Sequence, residues 1–263
     1  MALISRSPST RPNARLVEKK PQKAEGNRAW LKRLGAPGGV VLEDNGIILL
    51  GGSSLTDFRI RVAQSVVRGD LFPSFWSHCG ILLGDGLFAA VPLGPGHAAV
   101  DGGRDEVSTV PRSNGVQMSR LDDFDDPRRF PNVAVIRFAR RHPGVRDHIA
   151  RLKGDRGVID LPAMILPWLG HVWGVGGAAN PLLDGIGLPA AAFVETVFSM
   201  AGFELTPGLS STSSCPEAIW QSAKWWTEFY EGLSGDAIAG APYEAMCPEG
   251  FFAIRQPAAA ILE

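Results

Sequence analysis

The sequence predicts an α+β domain in which an antiparallel sheet packs against helices. Short apolar runs that end at glycine or at an Asp-Gly pair indicate strands, whereas apolar residues spaced three and four apart indicate helices. The two kinds of segment do not alternate regularly, which argues against a parallel α/β sheet. The chain has 263 residues, 45% of them hydrophobic and 20% charged, which is enough apolar material for one large core.

The clearest strand signal is the segment 76–86, which contains one histidine. Its Asp85-Gly86 pair tolerates positive φ at both positions and is typical of a two-residue hairpin loop, so residues 87–91 are predicted to return antiparallel. Because side chains alternate along a strand, His78 and Cys79 face opposite sides of the sheet. Hence His78 is fixed on a strand, and the adjacent cysteine cannot be its catalytic partner.

The remaining elements follow from the same patterns. Residues 45–52 read as a buried strand, and a helix is predicted over 54–67, where Phe58, Val62 and Val66 share one apolar face. A helix over 189–201 has proline in its first turn and glycine just after its end. The other predicted elements are a strand over 132–138, helices over 145–152 and 216–232, and a closing strand over 251–255.

The N-terminal segment differs in composition from the rest. Residues 1–33 contain nine Lys and Arg against two Glu, a net charge of +7, and the rest of the chain has a net charge of −8. We expect residues 1–28 to form a basic mobile tail and residues 29–263 to form the folded domain. The tail is either a targeting or adaptor segment or simply a solvated arm. It lacks the apolar run and cleavage site of a standard secretory signal, so export would require a specialised secretion system.

Cysteine spacing and glycine patterns exclude several classes of site. The three cysteines lack the spacing of a disulfide framework or a zinc site. The sequence of the domain contains no glycine-rich phosphate-binding loop and no basic segment with interspersed aromatic residues of the kind that binds nucleic acid. We therefore expect no cofactor, no metal ion and no nucleic-acid partner.

Several motifs occur in a characteristic order: the Asn45-Gly46 apolar strand, the segment 58–64, the segment 76–81 and the helix that ends at 201–208. This order resembles that of the permuted papain-like cysteine hydrolases of the NlpC type, a superfamily that includes the lecithin:retinol acyltransferase-like enzymes. The resemblance covers residues 40–255. It implies a strand histidine that faces a nucleophilic cysteine at the start of a helix.

The resemblance implies that His78 is the catalytic base and that position 190 is the place of the nucleophile. Such a cysteine is activated by the histidine and the helix terminus and attacks an acyl carbonyl. This chain has Ala190 there and should not perform the reaction. Either a cysteine was deliberately replaced or a natural protein lost it. We favour deliberate replacement, because His78 and the helix start are otherwise in place.

Two further catalytic roles remain open. Counting across the hairpin places Leu93 opposite His78, so no polar side chain is available there to orient the imidazole. His97 and Asp101 are the nearest candidates for that role, with solvated loop residues as the alternative. Cys215, directly before a proline, is a rival nucleophile or a half-buried turn residue.

Three functions are consistent with these observations. The first is a thiol-dependent amidase or endopeptidase that cuts peptidoglycan peptide, made in the bacterial cytoplasm and exported as an antibacterial effector with an immunity or adaptor protein as partner. The second is a lipid-directed acyltransferase or esterase, in which the apolar tract 154–188 forms a wall or lid of an acyl-binding groove. The alternative for this tract is a core helix. The third is a catalytically silent binding module. Asp160, His171 and several prolines and glycines interrupt this tract, so a transmembrane segment is not expected. The aromatic cluster 220–230 is expected to serve packing, with a sugar-binding platform as the alternative.

Overall fold

The structure is a computed structural model and describes residues 15–35, 45–93, 114–138, 142–232 and 246–260. Within these residues the chain forms a seven-stranded sheet with helices on both faces, which confirms the predicted α+β class. The strands are β1 (Arg15–Glu18), β2 (Ile47–Gly51), β3 (His78–Gly84), β4 (Leu87–Ala90), β5 (Gln117–Arg120), β6 (Asn132–Phe138) and β7 (Pro248–Ile254). The helices are α1 (Asn27–Gly35), α2 (Leu55–Ala63), α3 (Val145–Gly154), α4 (Leu161–Trp173), α5 (Pro189–Met200) and α6 (Pro216–Gly232).

The sheet is mixed and not purely antiparallel as predicted. Its strand order is β1-β7-β6-β2-β3-β4-β5, and every neighbouring pair is antiparallel except β1 and β7. The parallel pair also corrects the predicted tail, because residues 15–18 lie in the sheet and α1 begins at Asn27. The amide of Lys19 extends this pairing by donating to the carbonyl of Phe252 at 2.9 Å. Residues 1–14 lie outside the described residues.

The β3–β4 hairpin forms as the sequence predicts. Asp85 and Gly86 have φ values of 52° and 75°, which suit a tight two-residue loop. A β-bulge between Leu82 and Gly84 shifts the register by one residue, so that Ile81 pairs with Ala89. The predicted pairing of Leu93 with His78 is therefore wrong, and β4 already ends at Ala90.

Two hydrophobic cores lie on opposite faces of the sheet. Residues of α2 to α6 pack on one face, which we call the helical face, against Leu49, Cys79 and Ile81. The other face, which we call the aromatic face, is covered by α1 and by the 3-10 helix Leu121–Phe124. Which face a side chain occupies decides which helices it can contact.

Helix α5 is the central element of the helical face. It begins at Pro189 and ends just before Gly202, whose φ is 79°, as the sequence predicts. Its residues from Pro189 to Val194 are all buried, because the sheet, α3, α4 and α6 pack around it. This helix is therefore a core helix, and its N-terminal turn lies inside the protein.

Candidate functional site

His78 is the first residue of β3 and lies on the aromatic face. Its ring is stacked on Phe124, with centroids 6.1 Å apart and planes 8° apart, and meets the edge of Phe88 at 6.3 Å. Its partner across the strand pair is Leu50, which belongs to the same core as these two phenylalanines. The imidazole is 9% exposed. His78 is thus part of an aromatic cluster at the start of the strand.

Ala190 lies on the helical face and only 2% of it is exposed. The same core contains Cys79, the residue directly after His78 in the strand. The sheet therefore separates residue 190 from the imidazole of His78. The prediction that these two residues face each other across a cleft is wrong. His78 and Cys79 do face opposite sides of the sheet, as the sequence predicts. Helix α5, however, packs on the face that holds Cys79.

The two residues proposed to orient His78, His97 and Asp101, lie outside the described residues. Leu93 is described but does not pair with His78. Among the described members of the predicted constellation, the base and the nucleophile position are therefore not brought together.

All three cysteines are free thiols and are buried. Cys215 stands directly before the first residue of α6, as expected for a rival nucleophile, but burial raises the pKa of its thiol to about 12. Burial likewise raises the pKa of Cys79 well above its ordinary value. A thiolate is the reactive form of cysteine, so both thiols lie in environments that disfavour nucleophilic attack.

Sequence reasoning missed Glu195, a buried carboxyl group in the middle of α5. Its Oε1 accepts hydrogen bonds from Thr206 Oγ1 at 2.6 Å and from Ser214 Oγ at 2.9 Å. Burial raises the pKa of Glu195, although these hydrogen bonds partly offset the effect. The side chain lines a cavity of about 360 Å³ together with Glu204 and several hydroxyl groups. Its position as the only charged residue of α5 was the signal that could have identified it.

The aromatic residues of α6 divide into a packed set and an exposed set. Trp220, Trp226 and Tyr230 are buried, as expected for packing. Trp225 is 54% exposed and Phe229 is 36% exposed, and their rings stack at 5.2 Å with planes 15° apart. The expectation that the whole cluster serves packing is therefore wrong for these two residues.

A groove runs beside these aromatic residues. It has a volume of about 390 Å³ and is lined by Thr206, Pro207, Ala218, Ser222, Trp225 and Trp226. Ligand pockets range from about 300 to 1,000 Å³ and are mostly apolar with a few polar groups. The size and lining of this groove fall within that description.

The apolar tract 154–188 forms α4 and two 3-10 helices. Part of it belongs to the core, and the indole of Trp168 donates to the carbonyl of Gly187 at 2.8 Å. The segment Val175–Met200 has the length and composition of a membrane span, but 61% of its most apolar window is buried inside the protein, as in a core helix. The tract also exposes four large apolar side chains by 60% or more: Leu166, Trp173, Val175 and Leu183.

The described surface therefore offers two adjoining cavities and an exposed apolar tract. Within the ranges that the structure describes, no group of three or more His, Cys, Asp or Glu side chains is arranged to hold a metal ion. The resemblance to the permuted papain-like hydrolases consequently rests on the order of the sequence motifs. Comparison of the chain with models of protein families, with curated proteins and with solved structures found no match.

Proposed function

We propose that the chain, as written, is a binding module on a permuted papain-like scaffold and not an active thiol hydrolase. The observation that carries the proposal is the separation of His78 and Ala190 by the sheet. A base on one face cannot take a proton from a nucleophile on the other, because proton transfer requires hydrogen-bond distance or one bridging water.

Two further observations support this proposal. Residue 190 is alanine and offers no group for attack on a carbonyl. The native cysteines are buried, with a raised thiol pKa at Cys79 and Cys215. The expectation of a deliberately replaced cysteine depends on His78 and the helix start being in place around position 190. The sheet separates His78 from residue 190, so the structure gives no support to a replaced cysteine at position 190.

The test is the variant Ala190→Cys, assayed on purified peptidoglycan and on a panel of acyl lipids. We expect no release of stem peptides or fatty acids, because the new thiol lies in the core without a base. We also expect the thiol at 190 to react slowly with a thiol reagent in native buffer. Stem-peptide release would restore the amidase hypothesis, and fatty-acid release or acyl transfer would restore the lipid enzyme.

The control is Ser199→Cys, which places a thiol on an exposed position of the same helix. This thiol should react rapidly with the reagent, which shows that the reagent can reach α5. Circular dichroism and thermal melting of both variants establish that each one is folded. Rapid labelling at 190 in a folded protein would contradict the buried position of that residue.

A second candidate function is binding to a lipid surface, which the exposed apolar tract favours. No Asp, Glu, Lys or Arg occurs between Asp160 and Asp184, and Trp173 and Leu183 are 61% and 69% exposed. Large exposed apolar surfaces often mark sites of protein or membrane interaction. The wild type should sediment together with phosphatidylcholine vesicles. The double variant Trp173→Glu with Leu183→Glu should stay in the supernatant under the same conditions. Trp225→Glu is the matched control, and a wild type that does not sediment excludes this function.

A further inference from the structure

We infer that the groove on α6 and the adjoining polar cavity together bind a glycan, with a sugar ring on Trp225. The two cavities lie side by side, because Thr206 lines both of them. One half of the site is aromatic and the other half carries hydroxyl and carboxyl groups. This inference goes beyond the binding-module proposal, since none of these residues is His78 or Ala190 and the site would operate whether or not position 190 is reactive.

The aromatic half offers a flat apolar surface that is open to solvent. Trp226 is 8% exposed and packs against Trp225, with ring centroids 4.7 Å apart in an edge-on arrangement. Phe229 stacks on Trp225 and limits the orientations that the indole can take. An aromatic side chain that is held in place but not covered gives large contact area with little loss of conformational entropy. The C–H face of a pyranose ring is a chemical match for such a surface.

The polar half supplies hydrogen-bonding groups of the kind that sugar hydroxyls need. Glu195 and Glu204 contribute carboxyl groups, and Ser199, Ser210 and Ser211 contribute hydroxyls. A carboxylate accepts hydrogen bonds from hydroxyl groups and makes stronger bonds than a neutral acceptor. Glu195 is held in position by Thr206 and Ser214, so that its carboxyl group is fixed before a ligand arrives.

The charge of the site selects among ligand classes. Neither cavity has a Lys or an Arg among its described lining residues, whereas two carboxyl groups are present. A fatty acid, a phospholipid headgroup or an acidic peptide would place negative charge next to Glu204 and is disfavoured. A neutral, hydroxyl-rich ligand with apolar ring faces satisfies both halves. A glycan of N-acetylated hexosamines has this combination.

The test measures binding of a β-1,4-linked hexamer of N-acetylglucosamine to the full chain, by calorimetry and by tryptophan fluorescence. We expect the wild type to bind and Trp225→Ala to lose about tenfold or more in affinity, as is typical for an aromatic anchor. Glu204→Gln should weaken binding by a smaller factor, because an amide is a weaker acceptor. Trp225 is more than half exposed, so its replacement should leave the melting temperature nearly unchanged.

Trp173→Ala is the matched control, because Trp173 is 61% exposed, slightly more than Trp225, but does not line the groove. It should bind the hexamer as tightly as the wild type. The inference is overturned if the wild type does not bind at millimolar glycan, if Trp225→Ala binds normally, or if Trp173→Ala loses as much. Binding of isolated cell-wall stem peptide in a Trp225-dependent manner, without binding of the hexamer, would assign the groove to a peptide instead.

The Ala190→Cys variant tests the binding-module proposal independently. Failure of the glycan inference therefore does not imply failure of that proposal, and the reverse also holds.

Discussion

The carboxylate of Glu217 lies 3.0 Å from Nη1 of Arg68, and the same guanidinium also pairs with Asp70 at 2.6 Å through Nη2. The two carboxylates differ in environment, because Glu217 is fully buried at the start of α6 whereas the side chain of Asp70 is 48% exposed. Glu217 also accepts a hydrogen bond from Ser74 Oγ at 2.5 Å. One arginine therefore connects a buried and an exposed anion.

We expect Glu217→Ala to destabilise the protein by about 3–5 kcal/mol, because it removes one partner of a buried, hydrogen-bonded pair. Asp70→Ala should cost less than about 1 kcal/mol, as is usual for an exposed pair. Urea denaturation of both variants gives the two free energies of unfolding. Equal losses would show that the burial of Glu217 does not govern the interaction.

Gly80, in the strand that carries His78, leaves no room for a side chain. A Cβ at this position would lie 2.5 Å from a ring carbon of Phe88 and 2.6 Å from the carbonyl oxygen of Ala89. Gly80→Ala should therefore destabilise the protein by about 1–3 kcal/mol, as overpacking does. Gly69→Ala is the control, since no described heavy atom beyond its chain neighbours lies within 4 Å of its Cβ position, and it should change stability by less than about 1 kcal/mol. Thermal melting distinguishes the two, and similar melting temperatures would contradict the close approach of β4.

The position of His78 can be checked without any mutation. Its ring is stacked on Phe124 and touches the edge of Phe88, whereas Ala190 lies across the sheet. Nuclear Overhauser spectra of a methyl- and aromatic-labelled sample should show cross-peaks from the His78 ring to both phenylalanine rings. A cross-peak from the His78 ring to the Ala190 methyl group would instead support the predicted catalytic pair.

The stability of the protein should fall as the pH rises through the pKa of Glu195. Burial raises this pKa in the folded state, so the folded protein holds the proton more tightly than the unfolded chain does. The resulting stabilisation is complete below the unfolded pKa and is lost as the pH rises through the folded pKa. Glu195→Gln should remove this part of the pH dependence, because glutamine has no proton to lose.

Denaturation midpoints between pH 4 and pH 8 measure this effect. Glu228→Gln, at an exposed position of α6, should follow the wild-type pH curve. The buried Glu217 has a raised pKa as well, so part of the decline should remain in Glu195→Gln. A Glu195→Gln curve that runs parallel to the wild-type curve would show that Glu195 titrates normally.

Local signals in the sequence predicted the hairpin and helices α5 and α6. The Asp85-Gly86 loop and the proline and glycine that flank α5 act over a few residues, so their structural consequences can be inferred without a fold. Strand β1 could not be found in this way, because Leu16 and Val17 pair with residues more than two hundred positions away. The bulge between Leu82 and Gly84 also shifts the register, and nothing in the sequence marks it.

The candidate site was predicted less well for a related reason. Alternation along β3 separates His78 from Cys79, but it does not indicate which of the two faces a distant helix will cover. The cavities near Glu195 and Trp225 depend on how the segment 203–211 packs between α5 and α6. Such contacts between remote segments leave only weak traces in a single sequence, for example one glutamate in an apolar helix.

The position of β7 between β1 and β6 has a consequence for biosynthesis. Because β7 comes last among the described strands, β1 emerges from the ribosome long before its partner exists. Until residues 248–254 are synthesised, β6 presents an open edge to which strands of other nascent chains can add. Efficient production of this protein should therefore depend on chaperones that shield that edge during translation.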